Sequence, residues 1–259
     1  MADRRNTTLN RLLYKNHAVL RDCSNIVLSK PNQVNVNAWF VPDSSFSNVG
    51  DYLAQVVVEE VCRLKNIDFH GYVETTKHLY SIGSILLGFQ DATIWGSGFG
   101  YDKPPKWYSF AYNWLHRNYH KTDIRAVRGP ETRRILTQMG IVCPEVYGDP
   151  AVLMPLFYQP NPCPKTREYV LIPHYSKFEK YRHDPNAIST WVRDYKKFID
   201  SLLEAKLVIS SSLHGIILAE AYGIPAIMLC DTPSADITKY KDWYYSTDRE
   251  EVPIANSIQ

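Results

Sequence analysis

Apolar and polar positions along this chain follow two alternating periods. From Val34 to Val41 the pattern is that of a strand, Pro42 to Gly50 reads as a loop, and Asp51 to Leu64 repeats Leu53, Val56, Val57, Val61 and Leu64 at helical spacing. Strand, loop and helix make one βα unit. Ala92–Trp95 then runs into Gly96-Ser97-Gly98-Phe99-Gly100. Ile124–Val127 runs into Arg128-Gly129-Pro130 and a helix over Glu131–Met139, and Val146-Tyr147 predicts a short strand closed by Gly148-Asp149-Pro150. Further on, Tyr169–Ile172 predicts a strand ending at Pro173-His174-Tyr175, Lys196–Lys206 a helix, Leu207–Ser210 a strand, Leu213–Tyr222 a helix and Ala226–Leu229 a strand. Ile188–Tyr195 fits a strand and a helix start equally well. Such alternation implies an α/β fold with mostly parallel sheets.

The segment Gln159-Pro160-Asn161-Pro162-Cys163-Pro164-Lys165 has three prolines in seven residues and opposes regular structure. It divides the chain into an N-terminal α/β domain, residues 1–158, and a C-terminal α/β domain, residues 165–259. A chain of 259 residues with 45% hydrophobic content fills one large core or two smaller ones. The expected architecture is two Rossmann-like domains facing a cleft, with ligands beyond the carboxyl ends of the strands. Residues 1–30 set Arg4, Arg5, Arg11, Lys15, Arg21 and Lys30 against Asp3 and Asp22, with Leu9, Leu12, Leu13 and Leu20 near one helical face. Such a basic arm either packs on its own domain or lies on a membrane surface.

Lys and Arg total 29 against 27 Asp and Glu, so the charge balance calls for no nucleic acid. Cys23, Cys62, Cys143, Cys163 and Cys230 are scattered and form no CxxC pair, which argues against a disulfide framework or zinc cluster and fits a reducing cytoplasm. No His, Asp and Glu cluster has metal-ligand spacing, so no metal is expected. No apolar run approaches the roughly 20 residues that span a bilayer, and the N-terminus lacks the apolar block of a signal peptide. Eighteen Tyr and six Trp suit sugar-like ligands as well as ordinary core packing.

The stretch Leu207-Val208-Ile209-Ser210-Ser211-Ser212-Leu213-His214-Gly215 stops a β-branched run at three serines and restarts it as a helix. His214 then falls in the first helical turn, where backbone N–H groups lack partners and an anion can be held beside an acid–base group. Read from spacing alone, His214 is either that group or a structural histidine bound to a loop carbonyl. Ser211 and Ser212 are expected to cap the helix through their hydroxyls. Arg128, between a strand and Gly129-Pro130, offers a guanidinium fork for a phosphate or carboxylate, or forms a surface ion pair. Glu131 and Thr132 read as ordinary first-turn residues. Gly96, Ser97 and Gly98 permit close backbone approach to a ligand, yet lack the third glycine of a dinucleotide site and a Walker lysine. His174 reads as a second anion ligand or a structural histidine, and Asp149 as a turn-forming acceptor or a base.

These residues lie in motifs that together resemble the polysaccharide pyruvyl transferase family. The matching pieces are Asn48-Val49-Gly50-Asp51, Ser81-Ile82-Gly83-Ser84-Ile85-Leu86, Ile94-Trp95-Gly96-Ser97-Gly98-Phe99, Ala126-Val127-Arg128-Gly129-Pro130-Glu131-Thr132, Val146-Tyr147-Gly148-Asp149-Pro150, Ile172-Pro173-His174-Tyr175 and Ser211-Ser212-Leu213-His214-Gly215. They run in family order across about residues 35–230. The resemblance implies a GT-B-like fold, with an acceptor side in residues 1–158 and a donor side in residues 165–259. It implies transfer of pyruvate from phosphoenolpyruvate, as co-substrate and without a cofactor, onto a hexose of a bacterial surface polysaccharide such as exopolysaccharide or capsule. The product would be a cyclic ketal. His214 and Arg128 are the implied catalytic residues. Arg128, His174, Ser212, Leu213, Gly215, Gly96, Ser97, Gly98, Asn48 and Asp51 are the implied substrate contacts.

The same resemblance implies a lipid-linked oligosaccharide acceptor and a cytoplasmic enzyme, peripheral at the inner membrane face through residues 1–30. Two other readings stand beside it. Glu220-Ala221-Tyr222-Gly223-Ile224-Pro225 also resembles the E-A-x-G-x-P segment of glycosyltransferases with nucleotide-sugar donors. A sugar-binding protein of the same fold without donor chemistry is the other.

Overall fold

A computed structural model describes residues 35–36, 47–67, 78–86, 92–103, 122–231 and 236–258. In chain order the first part holds strands β1 (Asn35–Val36) and β2 (Ser47–Asn48), helix α1 (Val49–Leu64), strands β3 (His78–Tyr80), β4 (Ala92–Trp95) and β5 (Thr122–Ala126), and helix α2 (Pro130–Gln138). A 3-10 turn (Pro150–Leu153) leads into the short α3 (Met154–Phe157). After the proline-rich segment come β6 (Val170–Ile172), a 3-10 turn (Tyr175–Lys177), α4 (Phe178–Tyr181), β7 (Trp191–Val192), α5 (Tyr195–Leu203), β8 (Val208–Ser210), α6 (Leu213–Ala221), β9 (Ala226–Leu229), α7 (Thr238–Tyr245) and β10 (Ile254–Ala255).

The strands form two four-stranded parallel sheets, in the orders β1-β3-β4-β5 and β10-β9-β8-β6. A parallel sheet is covered on both faces, and Val170, Leu171 and Ile172 of β6 are accordingly all buried. β2 pairs antiparallel with β7, which joins the start of α1 to the second half of the chain. One apolar core gathers Val49, Leu53, Ala54 and Val57 of α1 with Ile199, Leu202, Ile216, Ile217 and Trp243. These α1 residues recur at helical spacing and turn one face toward that core. A second, smaller core holds Ile94, Phe99, Val127, Ile135 and Leu136 under the first sheet. Helix α6 is buried almost all round, because the small residues Gly215 and Ala219 alternate with Ile216, Ile217 and Leu218.

Most strands and helices lie where periodicity puts them. The exceptions have local causes. Val146-Tyr147 forms no strand: Tyr147 makes a single bridge to Val127 before Gly148 turns the chain. Ile188–Tyr195 resolves into β7 followed by α5, with Asp194 capping the helix through the N–H of Lys196. Helix α7 and strand β10 have no counterpart in the pattern reading, because α7 carries four aromatic residues and no clean apolar stripe. Of the strand expected over Val34–Val41 only β1 is described. The basic arm, residues 1–30, lies outside the described residues. No described helix is long and apolar enough to cross a membrane.

Candidate active site

Two helix starts meet at His214. Asn48 caps α1 by accepting the Gly50 N–H on its side-chain oxygen, and its amide nitrogen donates to Thr190 Oγ1. The first turn of α1 therefore sits against the β7 segment, where Val49 N–H also bonds the Thr190 carbonyl. The His214 ring lies on Gly50, and a side chain at position 50 would collide with the imidazole. His214 Nε2 faces Asp149 Oδ2 at 3.6 Å, longer than a direct hydrogen bond. Asp149 uses its other oxygen, Oδ1, to cap the Pro150–Leu153 turn through the Ala151 N–H. It is thus both the turn-forming acceptor expected from Gly-Asp-Pro and the partner of an imidazole.

Among the described residues, three buried side-chain atoms have no hydrogen-bond partner: His214 Nε2, Asp149 Oδ2 and Ser97 Oγ. Buried polar atoms are rarely left unsatisfied, and three in one neighbourhood mark a place built for something other than packing. His214 Nε2 is thus bound to no loop carbonyl. Ser97 belongs to the same neighbourhood, since Gly96 packs on Pro150 and on the Gly148 carbonyl. Gly96 has φ +99°, a conformation that glycine adopts without strain. A β-bulge at Ile94/Trp95 turns β4 into this loop.

Arg128 is neither a surface ion pair nor an open fork. It is fully buried, donates from Nε to Asp242 Oδ2 at 3.1 Å, from Nη1 to Ser84 Oγ at 2.9 Å, and from Nη2 to the Phe99 carbonyl. Each of its three nitrogens is thus held by a protein group, with none of the side chain exposed. Asp242, also fully buried, accepts the N–H of Thr132 at 2.9 Å and its hydroxyl at 2.6 Å. Gly129 provides no side-chain cap for α2, and Asp242 on α7 takes that part from outside. Thr132 is therefore not an ordinary first-turn residue. Glu131 is one, pairing with Arg134. The glycine loop serves this arrangement: Gly98 lies against the Arg128 guanidinium, so protein fills the space expected to admit a ligand.

Helix α7 touches the second sheet as well. Tyr240 donates its hydroxyl to the Ser211 carbonyl at 2.8 Å, at the turn before α6. Ser211 Oγ accepts the His174 N–H at 2.8 Å, which ties the carboxyl ends of β6 and β8 together. Ser211 is therefore not a helix cap, and Ser212 makes no side-chain cap bond either. The start of α6 keeps backbone N–H groups that no side chain of its own satisfies. Gly215 packs on Ser210 Oγ and Ile172 and brings α6 down onto the sheet. Leu213 is buried, and Asp51 stands in the first turn of α1.

Lys239, on the same helix, was not legible as a site residue. Burial first, and then the like charge of Arg128, bring its ammonium down to about 8. Burial, Lys239 and Lys177 together pull the His174 imidazole down to about 4, so it is neutral near pH 7. Ser176 donates its N–H to His174 Nδ1, with its hydroxyl 2.7 Å from the same atom, which leaves the ring proton on Nε2. Lys177, Lys180 and Tyr181 converge on Asp231; burial pushes that carboxyl up, and their hydrogen bonds overcome it and hold it at about 2. Lys239 thus feels the charge of Arg128 and acts in turn on His174, with Asp236 opposing its loss of charge. Among the described residues no three His, Cys, Asp or Glu side chains stand close enough to share a metal ion.

Residues 66–229 match the family described as polysaccharide pyruvyl transferase. The chain belongs to that family. Among curated proteins it is 26% identical over 157 residues to the succinoglycan biosynthesis protein ExoV of Rhizobium meliloti (strain 1021). That match takes in 57% of this chain and 45% of the relative, so the chain spans about half the length of the curated relative it matches. Among solved structures, an uncharacterised protein from Klebsiella pneumoniae subsp. pneumoniae NTUH-K2044 superposes with a TM-score of 0.58 at 14% identity, covering 93% of this chain and 99% of that one. The latter likeness shows a shared fold. The family match ends before α7, so Lys239 and Asp242 lie outside it.

Proposed function

We propose that this member of the family moves the pyruvyl group of phosphoenolpyruvate onto a hexose of a bacterial surface polysaccharide or its lipid-linked repeat unit, releasing phosphate and closing a cyclic ketal. The observation that carries the reading is the unsatisfied His214–Asp149 pair, set where the starts of α1 and α6 meet. The donor's phosphate and carboxylate need fixed cationic and N–H partners. Lys239, His174 Nε2–H and the α6 start supply them, and the buried Arg128 adds its charge without direct contact. Residues 1–158 and 165–259 form two Rossmann-like halves in a GT-B-like arrangement. The enzyme works at the cytoplasmic face of the inner membrane.

The reaction is addition followed by elimination. A proton reaches the methylene carbon, making it a methyl group, and one sugar hydroxyl oxygen bonds to the adjacent carbon. The carbon–oxygen bond to phosphate then breaks, and a second hydroxyl closes the ketal. Of the two hydroxyl protons, one ends on the methyl group and the other on phosphate. His214 moves these protons, and Asp149 holds its ring and offsets the imidazolium charge.

A nucleotide-sugar donor is the other enzymatic reading, and Glu220 speaks against it. Its carboxylate takes two N–H bonds from Arg249, at 2.7 and 2.9 Å, and one from Trp243 Nε1 at 2.8 Å. It is therefore engaged within the protein, with little left for ribose hydroxyls. The test measures phosphate release from phosphoenolpyruvate with galactose-, glucose- or mannose-terminated acceptors, alongside thermal shifts with phosphoenolpyruvate and with nucleotide sugars. Acceptor-dependent phosphate release and a shift with phosphoenolpyruvate alone are expected. Stabilisation by a nucleotide sugar and none by phosphoenolpyruvate would overturn the reading.

A further inference from the structure

Tyr175 is aromatic yet 46% exposed, and it follows His174 directly. Its ring lies on the His174 imidazole, with centroids 4.3 Å apart and 38° between planes, and meets Trp191 edge-on at 5.7 Å. Trp191 is held firmly. It stands opposite Asn48 in the β2–β7 pair, its N–H donates to Ser189 Oγ, and the neighbouring Thr190 bonds both Asn48 and Val49. The two rings therefore form a corner fixed on one side to the donor-binding imidazole and on the other to the first turn of α1, whose Gly50 seats His214.

Resting on the pyruvyl-transfer reading, we infer that Tyr175 and Trp191 form the platform on which the acceptor's pyranose ring stacks. A pyranose presents a face of C–H groups, slightly positive, with its hydroxyls around the edge. Aromatic faces are negative and aromatic edges positive, so a ring of this kind rests on one aromatic side chain and abuts a second. Stacking leaves the hydroxyls free, which transfer to two of them requires. A corner beside His174 holds the sugar next to the donor's anionic groups. A purely anionic acceptor would gain little from two uncharged rings at that place.

Saturation-transfer NMR on the full chain, irradiating aromatic protons, tests this with the methyl pyranosides of galactose, glucose and mannose, each with and without phosphoenolpyruvate. At least one glycoside is expected to receive saturation on the C–H protons of one ring face. Tyr175→Ala, at an exposed position, lowers that signal about three- to tenfold, whereas Tyr175→Phe and Trp191→Phe keep it. The thermal shift given by phosphoenolpyruvate stays unchanged in Tyr175→Ala. The platform is overturned if no glycoside binds, or if the one that binds does so equally in Tyr175→Ala. Absence of any shift with phosphoenolpyruvate would count against the donor, while the glycoside signals still decide the platform.

Discussion

Asp242→Asn tests whether Arg128 acts as a buried anchor. The substitution keeps the size of the side chain and one acceptor oxygen, so its effect is electrostatic. Arg128 keeps Ser84 and the Phe99 carbonyl but loses its buried counter-charge, and the start of α2 loses the anion that accepts its Thr132 N–H. Removing one partner of a buried pair destabilises by about 3–5 kcal/mol, because the other charge stays buried. In a chain of 259 residues an unfolding entropy near 2.1 cal/mol/K per residue turns each kcal/mol into about 2 °C. The thermal midpoint should fall by about 6–10 °C in scans followed by circular dichroism. Asp242→Asn combined with Arg128→Met, which leaves no charge behind, should lose less than the two single changes added together. A midpoint for Asp242→Asn within about 2 °C of the parent would refute the anchoring argument.

On the proposed reading, Lys239 should make phosphoenolpyruvate binding pH-dependent. With an ammonium near 8, its charge is present at pH 7 and lost as pH rises through 8, so the thermal shift given by phosphoenolpyruvate should shrink toward pH 9. Lys239→Arg should flatten that decline, and a flat profile in the parent protein would rule the role out. Asp149→Asn should leave the midpoint nearly unchanged, since Asn caps the Pro150–Leu153 turn as well as Asp does, while acceptor-dependent phosphate release falls about tenfold or more. An equal loss of stability and turnover would make Asp149 structural only. Gly50→Ala should displace the His214 ring and cut turnover with phosphoenolpyruvate affinity retained; unchanged turnover would mean that the ring is not working from that seat.

Elements with a strong local signal were legible in the sequence. The β-branched run before Ser210, the Val208–Ser210 strand and the small-residue helix from Leu213 follow from periodicity, and His214 emerges at their junction for the same reason. Partnerships across the fold were not. Nothing near Arg128 announces a carboxylate 114 positions away, and nothing near Gly129 shows that Asp242 replaces a missing helix cap. The glycines of Gly96-Ser97-Gly98 illustrate the limit. Close approach was the right physical reading, but the approaching groups are Pro150 and the Arg128 guanidinium, and only the fold decides whether protein or ligand fills such a gap. Asn48, expected as a substrate contact, and Ser211, expected as a helix cap, make hydrogen bonds that hold neighbouring segments together.

The position of α7 explains why the matched family segment, residues 66–229, is not a complete site. Arg128 and His214 follow strands of different sheets, and no described residue within the segment is seen to pair with the Arg128 guanidinium by charge. Asp242 does so from beyond its end, and one turn earlier Lys239 sets a second cation near Arg128. Gly50, before its start, gives His214 a seat. On the proposed reading, the two flanks act on different halves of the chemistry: α7 on how the donor's charge is met, and α1 on where the His214 ring stands. A change on α7 should therefore appear first in donor affinity and its pH profile, and a change at the start of α1 first in turnover. Seeing both move the same parameter would show that the pocket behaves as one unit, with no such division.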